Sequence, residues 1–381
     1  MKTFGPPRHL VVLAVAVLLG GCASGASPTP APATPIPTSL PSAVVIAPSP
    51  TAAATAAPAP TPAVIATADL AYEADLAYES ANPLSVPGEL DVLAPAKAGP
   101  WPVVVMFHGA PGTDPKTDRR GLATHARRVA ELGFVVFNAS WGHEPGGSVS
   151  APSYAGVLAG NSQAACAVEF ARAHAAEYGG DPSTMIVFGA SGGAQTAASV
   201  AFARPEPSAG CLGGGKLGAV NALVAWEGNW LLSMTHPTIL DWDGMVAADP
   251  RIMDALTPWK HLAEHKDLKV VVLVSEDPSL SLESEFPGVL VDREVGDPWA
   301  ADSWLAVRDP SGDLRRQLEA SGALADGTLT FTEVQQLLYS ALKAQGNPVT
   351  LDVMPDSSHA RLAGAGWDVF LAAFPKAAAK D

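Results

Sequence analysis

From Trp101 toward the C-terminus, short β-branched and aliphatic runs alternate with alanine-rich stretches of helical length, and this alternation limits the possible folds more than any other feature. The runs are VVVMF (103–107), FVVFNAS (134–140), MIVFG (185–189), NALVAW (221–226), VVVLV (270–274) and VTLDVM (349–354). Each is continuously apolar, the pattern of a strand covered on both faces. LATHARRVAELG, QAACAVEFARAHAAEYG, GGAQTAASVAFAR and TFTEVQQLLYSALKAQG lie between them and read as helices. The alternation predicts an α/β fold with a doubly wound, mostly parallel sheet. On that layout chemistry belongs in the loops after the carboxyl ends of strands, where helix N-termini and loop backbones converge.

Residues 227–268 and 278–330 are longer than sheet connections need and predict a cap and a side insertion. Six of the nine tryptophans fall in this zone: Trp226, Trp230, Trp242, Trp259, Trp299 and Trp304. Packing between insertion and sheet accounts for most of them better than a binding cleft does, so none is assigned to substrate.

Gly189-Ala190-Ser191-Gly192-Gly193 fits G-x-S-x-G, after the strand-like MIVF and before the helix-like AQTAASVAFA. That setting is what a nucleophile elbow requires, because the serine takes a strained backbone conformation while strand and helix cross closely. A serine hydroxyl needs a base to take its proton and fixed donors for the developing oxyanion. The run VVVMF leads into His108-Gly109-Ala110-Pro111-Gly112, so the N–H groups of Ala110 and Gly192 are the expected oxyanion donors, with His108 structural. Gly192 also opens a helix, whose dipole adds to the pull on negative charge. The base is expected at His359, in the loop MPDSSHARL after the last strand. The acid that orients it is expected at Asp277 in Ser275-Glu276-Asp277-Pro278, with Glu276 second and Glu227, after the preceding strand, third. Chain order Ser, acid, His is satisfied by each.

With Tyr178-Gly179-Gly180-Asp181-Pro182, a turn similar to one before the nucleophile strand of many esterases, this constellation resembles the α/β-hydrolase superfamily, its carboxylesterase and lipase-like members above all. The resemblance covers about residues 101–374 and implies a cofactor-free serine hydrolase that cleaves carboxylic esters through an acyl-enzyme. HGAPG departs from the HGGG of one esterase group, SEDP lacks the glycine common before the family's acid, and the insertion 278–330 has no obvious family role.

The first 21 residues read as an export signal. Lys2 and Arg8 precede HLVVLAVAVLLGG, an apolar run too short to span a bilayer comfortably. Leu19-Gly20-Gly21-Cys22 resembles the lipobox of bacterial lipoproteins, which implies a lipidated (palmitate-bearing) Cys22 as the mature N-terminus. Residues 22–68 then form a Pro/Ala/Thr-rich tether without formal charge before Asp69, disordered by composition and on the order of 100 Å long at about 3.1 Å per residue. The hydrolase domain is expected over 69–381, exported and held at a bacterial cell or outer membrane by the lipid. It opens with DLAYEA and DLAYES (69–80), a tandem repeat best explained as a local duplication at the domain edge.

Cys166 and Cys211 remain as an even pair, a disulfide in an exported protein or else two buried thiols. A formal charge of −15 argues against nucleic-acid partners. No metal is expected: ASGALADGTLTFTEV offers Asp326, Gly327, Thr330 and Glu333 as half of a calcium loop, but Gly322 and Leu324 stand at the first ligand positions. Thr330 with Glu333 reads instead as a capping box. The rival readings are a binding lipoprotein on a degenerate hydrolase scaffold and a serine peptidase, since fold alone proves no activity and a triad does not distinguish ester from amide.

Overall fold

The computed structural model describes residues 70–80, 88–97, 99–109, 119–142, 154–228, 258–277, 331–359 and 361–379. The leader, Cys22, the tether, Ala110, most of both insertions and the calcium-loop-like stretch lie outside the described residues. In chain order the elements are β1 (Leu70–Ala77), β2 (Glu89–Pro95), β3 (Trp101–Phe107), α1 (Ala123–Glu131), β4 (Val135–Ala139), α2 (Tyr154–His174), β5 (Gly180–Ala190) and α3 (Gly192–Ala198). There follow β6 (Ala222–Trp226), β7 (Lys269–Asp277), α4 (Phe331–Gln345), β8 (Val349–Ser358), β9 (Arg361–Leu362) and α5 (Gly366–Ala378).

Among the described residues nine strands make one sheet in the order β1-β2-β4-β3-β5-β6-β7-β8-β9. Strands β3 to β8 run parallel to their neighbours, while β1, β2 and β9 pair antiparallel at the two flanks. All six apolar runs lie in the parallel strands. They are continuously apolar because alternate residues feed two cores. Val103, Val105 and Phe107 of β3 join Ala164, Ala167, Ala194, Ala197, Leu338 and Leu342 of α2, α3 and α4 on one face. Val104 and Met106 join Ala126, Val129, Phe370 and Phe374 of α1 and α5 on the other. Helix-covered faces of this kind are what a parallel sheet requires.

The antiparallel flank was not legible in the repeat. Its two copies occupy unlike environments: Tyr72 is largely exposed on the edge strand β1, whereas Tyr78 is fully buried and its hydroxyl donates to Ser140 O at 2.5 Å. Buried Arg119 draws this flank together, meeting Asp91 at 3.0 Å, Glu89 at 3.3 Å and the carboxylate of Asp75. Cys166 of α2 and Cys211 are joined, with sulfurs 2.18 Å and Cα atoms 5.3 Å apart.

Candidate active site

Strand β5, flanked by β3 and β6, delivers Ser191 at its carboxyl end. The backbone there turns through φ 53° and ψ −123° before α3 begins at Gly192. A non-glycine residue in that region carries about 1–3 kcal/mol of strain, held by its surroundings. Part of the holding is the Ser191 N–H, which donates to Trp226 O at 2.8 Å and so docks the turn on the end of β6. The two flanking glycines are demanded by space: a Cβ at Gly189 would lie 2.0 Å from Gly193 O, and one at Gly193 would lie 2.3 Å from both Phe107 O and His108 O.

His359 follows β8 directly, and its ring lies between two side chains. Its Nδ1–H donates to Glu227 Oε2 at 2.7 Å, and Ser191 Oγ donates to Nε2 at 2.9 Å. The carboxylate partner fixes the tautomer in which Nε2 is free to accept. The expected meeting of Ser191 and His359 is therefore seen in the geometry.

The acid beside the ring is Glu227, not Asp277. Strand β7 continues through Asp277, which pairs in register with Ser358 and lies exposed at the rim. Glu276 is also occupied elsewhere: its Oε2 accepts the Asp356 N–H at 2.9 Å, tying down the turn ahead of His359. Glu227 stands one residue past β6, the strand next to the one bearing Ser191, in a left-handed conformation with φ 49°. That turn aims the carboxylate inward. It is fully buried, and its second oxygen accepts the Ser275 N–H at 2.6 Å. The signal available in the sequence was an acid followed by glycine directly after a buried strand, AWEG.

Gly192 opens α3, and the N–H groups of a helix's first turn have no carbonyl partner one turn back, which suits them to a developing negative charge. The backbone of Gly109 passes so close that a Cβ there would lie 3.2 Å from Ser191 Cβ. His108 braces that strand end, as expected: its Nδ1–H donates to Gly109 O at 2.8 Å, its Nε2 accepts the Trp141 N–H at 3.3 Å, and Trp141 Nε1–H donates to His108 O at 2.9 Å. Trp141 carried no sequence signal. Of the six tryptophans in the insertion zone, Trp226 is buried against Phe370 and donates to Ser275 Oγ at 3.2 Å, a packing role. Among the described residues no group of three or more His, Cys, Asp or Glu side chains converges as a metal site.

Residues 90–228 match the BD-FAE family model, an α/β-hydrolase-type esterase family. The match runs from β2 to the residue after Glu227, so it includes Ser191 and Glu227 but neither Asp277 nor His359. Among solved structures the chain is similar to an inhibited form of esterase B from Lactobacillus rhamnosis, at 14% identity over 81% of this chain and 86% of that one, TM-score 0.52. It is also similar to a truncated carbohydrate esterase from gut microbiota, at 13% identity over 82% of this chain and 99% of that one, TM-score 0.50. No curated protein matches the sequence. These likenesses establish the α/β-hydrolase fold.

Proposed function

We propose that this α/β-hydrolase-fold chain is a serine esterase that cleaves carboxylic esters through an acyl-enzyme. The observation that carries the reading is the hydrogen-bonded row Ser191–His359–Glu227 on a strained elbow. Ser191 Oγ attacks the ester carbonyl carbon as His359 Nε2 takes its proton. The Gly192 N–H holds the resulting oxyanion, and the sequence assigns the second donor to the loop that follows Gly109. The tetrahedral intermediate then collapses, the carbon–oxygen bond to the alcohol breaks, and the imidazolium returns the proton to the leaving oxygen. Water repeats the sequence on the acyl-enzyme, releasing the acid and restoring Ser191. Glu227 keeps the ring oriented and stabilises its cationic form.

The BD-FAE match and the esterase neighbours support ester over amide substrates, and the carbohydrate esterase among them makes acylated sugars a natural first panel. The lipobox-like Leu19-Gly20-Gly21-Cys22 supports an exported enzyme tethered to a membrane through Cys22. A serine-reactive fluorophosphonate probe, applied to the full chain and to Ser191→Ala, tests the chemistry. Labelling and hydrolysis of an activated acetyl ester are expected in the parent and lost in the variant. A folded parent that takes no label would instead favour a binding protein on a hydrolase scaffold.

A further inference from the structure

Glu227 occupies a left-handed backbone position next to a glycine, two features that together make a turn free to swing. Something must hold it if its carboxylate is to stay on His359. On the near side the Ser275 N–H holds one carboxylate oxygen at 2.6 Å, and the Glu227 N–H donates to Leu273 O at 3.3 Å, a long bond. On the far side a side chain from a remote helix supplies the restraint: Gln335 Nε2–H donates to Gly228 O at 2.8 Å. Gln335 is completely buried on α4, the helix packed over β7 and β8 on the face that also carries Leu338 and Leu342. A buried amide is costly unless its hydrogen bonds are made, and the Gly228 carbonyl accepts one of them.

We propose that Gln335 is a positioning residue for the triad acid: its amide pins the peptide after Gly228 and thereby holds the turn that aims Glu227 at His359. The proposal rests on the serine-esterase reading above. Gln335 acts on the triad through Gly228 and Glu227. With that amide removed, Gly228 is released, the left-handed turn relaxes toward negative φ, and the carboxylate withdraws from the imidazole. A displacement of about 1 Å at a catalytic group costs up to about 100-fold in rate.

The test uses the full chain with Gln335→Met, which keeps the length and apolar packing of the side chain and removes the donor. The expected result is a fall in kcat of roughly 10-fold or more with KM unchanged. The downfield proton resonance of the His359 Nδ1–H bonded to Glu227 should broaden or disappear as well. A folded Gln335→Met chain with parental kcat and an intact resonance overturns the proposal, even if its melting temperature has dropped. Should that variant not fold, Gln335→Glu provides the same two readouts with a side chain of the same length. Ser191→Ala separates the two levels. If it retains hydrolysis, the esterase reading fails and the proposal with it; if it abolishes hydrolysis while Gln335→Met changes nothing, only the positioning role is overturned.

Discussion

A fully buried carboxylate is expensive unless its oxygens are satisfied, and Glu227 has a donor on each: the Ser275 N–H and the His359 Nδ1–H. In Glu227→Gln one amide face presents N–H groups to the imidazole, which favours the wrong tautomer and leaves a cationic ring unsupported. Ester hydrolysis should fall by roughly 10³–10⁴-fold in kcat. Asp277→Asn, a change at an exposed rim position, should stay close to the parent; if these two results come out reversed, the acid has been misassigned. The sequence made Ser191 and His359 legible because residue type, flanking glycines and position at strand ends all agreed. It ranked the acids badly because adjacent strand ends offered carboxylates in the same chain order, and only the left-handed turn at Glu227 and the extension of β7 through Asp277 decide between them. A second residue-scale case is His125 of α1, whose ring lies tilted 4.8 Å from Trp367 and edge-on 5.3 Å from Phe370, with no hydrogen-bond partner on either ring nitrogen among the described residues. Burial, with a smaller contribution from Arg128, pulls its pKa down from 6.5 to about 4. The unfolded chain therefore takes up this proton at a higher pH than the native one. Stability is full above pH 6.5 and is lost as pH falls toward 4, by about 3 kcal/mol at 1.36 kcal/mol per pKa unit. Denaturant titrations of the parent and His125→Phe between pH 7 and 4 should show a shallower pH dependence in the variant, and parallel curves would refute the assignment.

At the scale of elements, the parallel strands were readable because two-sided burial leaves a continuous apolar run, and β3, β5, β6 and β7 show it clearly. The antiparallel flank was not readable, for a physical reason. Strand β1 has mostly exposed side chains, and β2 carries Asp91, whose charge is met by Arg119 from a later segment of the chain. Neither presents a local pattern that separates it from a loop. At the crossing of β5, α3 and β3 both Gly189 and Gly193 are required, and Gly193 is the one that faces β3. In Gly193→Ala the new methyl group would press on two backbone carbonyls, those of Phe107 and His108, which have no rotamer to yield. The destabilisation should reach the upper part of the range of about 1–3 kcal/mol typical of overpacking. Because β3 leads straight into His108 and Gly109, the strand cannot retreat without moving the peptide beside Ser191. Thermal unfolding and kcat should thus fall together. A variant that loses activity with parental stability would mean that α3 has shifted and β3 has stayed in place.

At the scale of the whole molecule, the bond between Cys166 and Cys211 joins α2 to the connection between α3 and β6, with the second copy of the hexapeptide repeat threaded alongside. Leu212 N–H donates to Tyr78 O at 3.0 Å, Ser80 N–H donates to Gly210 O at 2.8 Å, and Glu79 accepts from Gln163 Nε2 at 3.1 Å and from the Ser208 hydroxyl. The N-terminal flank is therefore held by a surface that the cross-link keeps together. Closing a loop of 45 residues removes enough unfolded-state entropy to contribute about 2–4 kcal/mol. Cys166→Ala/Cys211→Ala should lose that amount while keeping most of its activity at low temperature, because neither sulfur touches Ser191, His359 or Glu227. A thiol reductant supplies the control: it should lower the unfolding midpoint of the parent toward that of the double variant and leave the variant unmoved. An exported chain would keep this bond in its own compartment, whereas a reducing cytosol would open it. Equal midpoints for the parent with and without reductant, under conditions where thiol counting shows the bond fully reduced, would remove the cross-link from any account of stability and leave the flank to its hydrogen bonds alone.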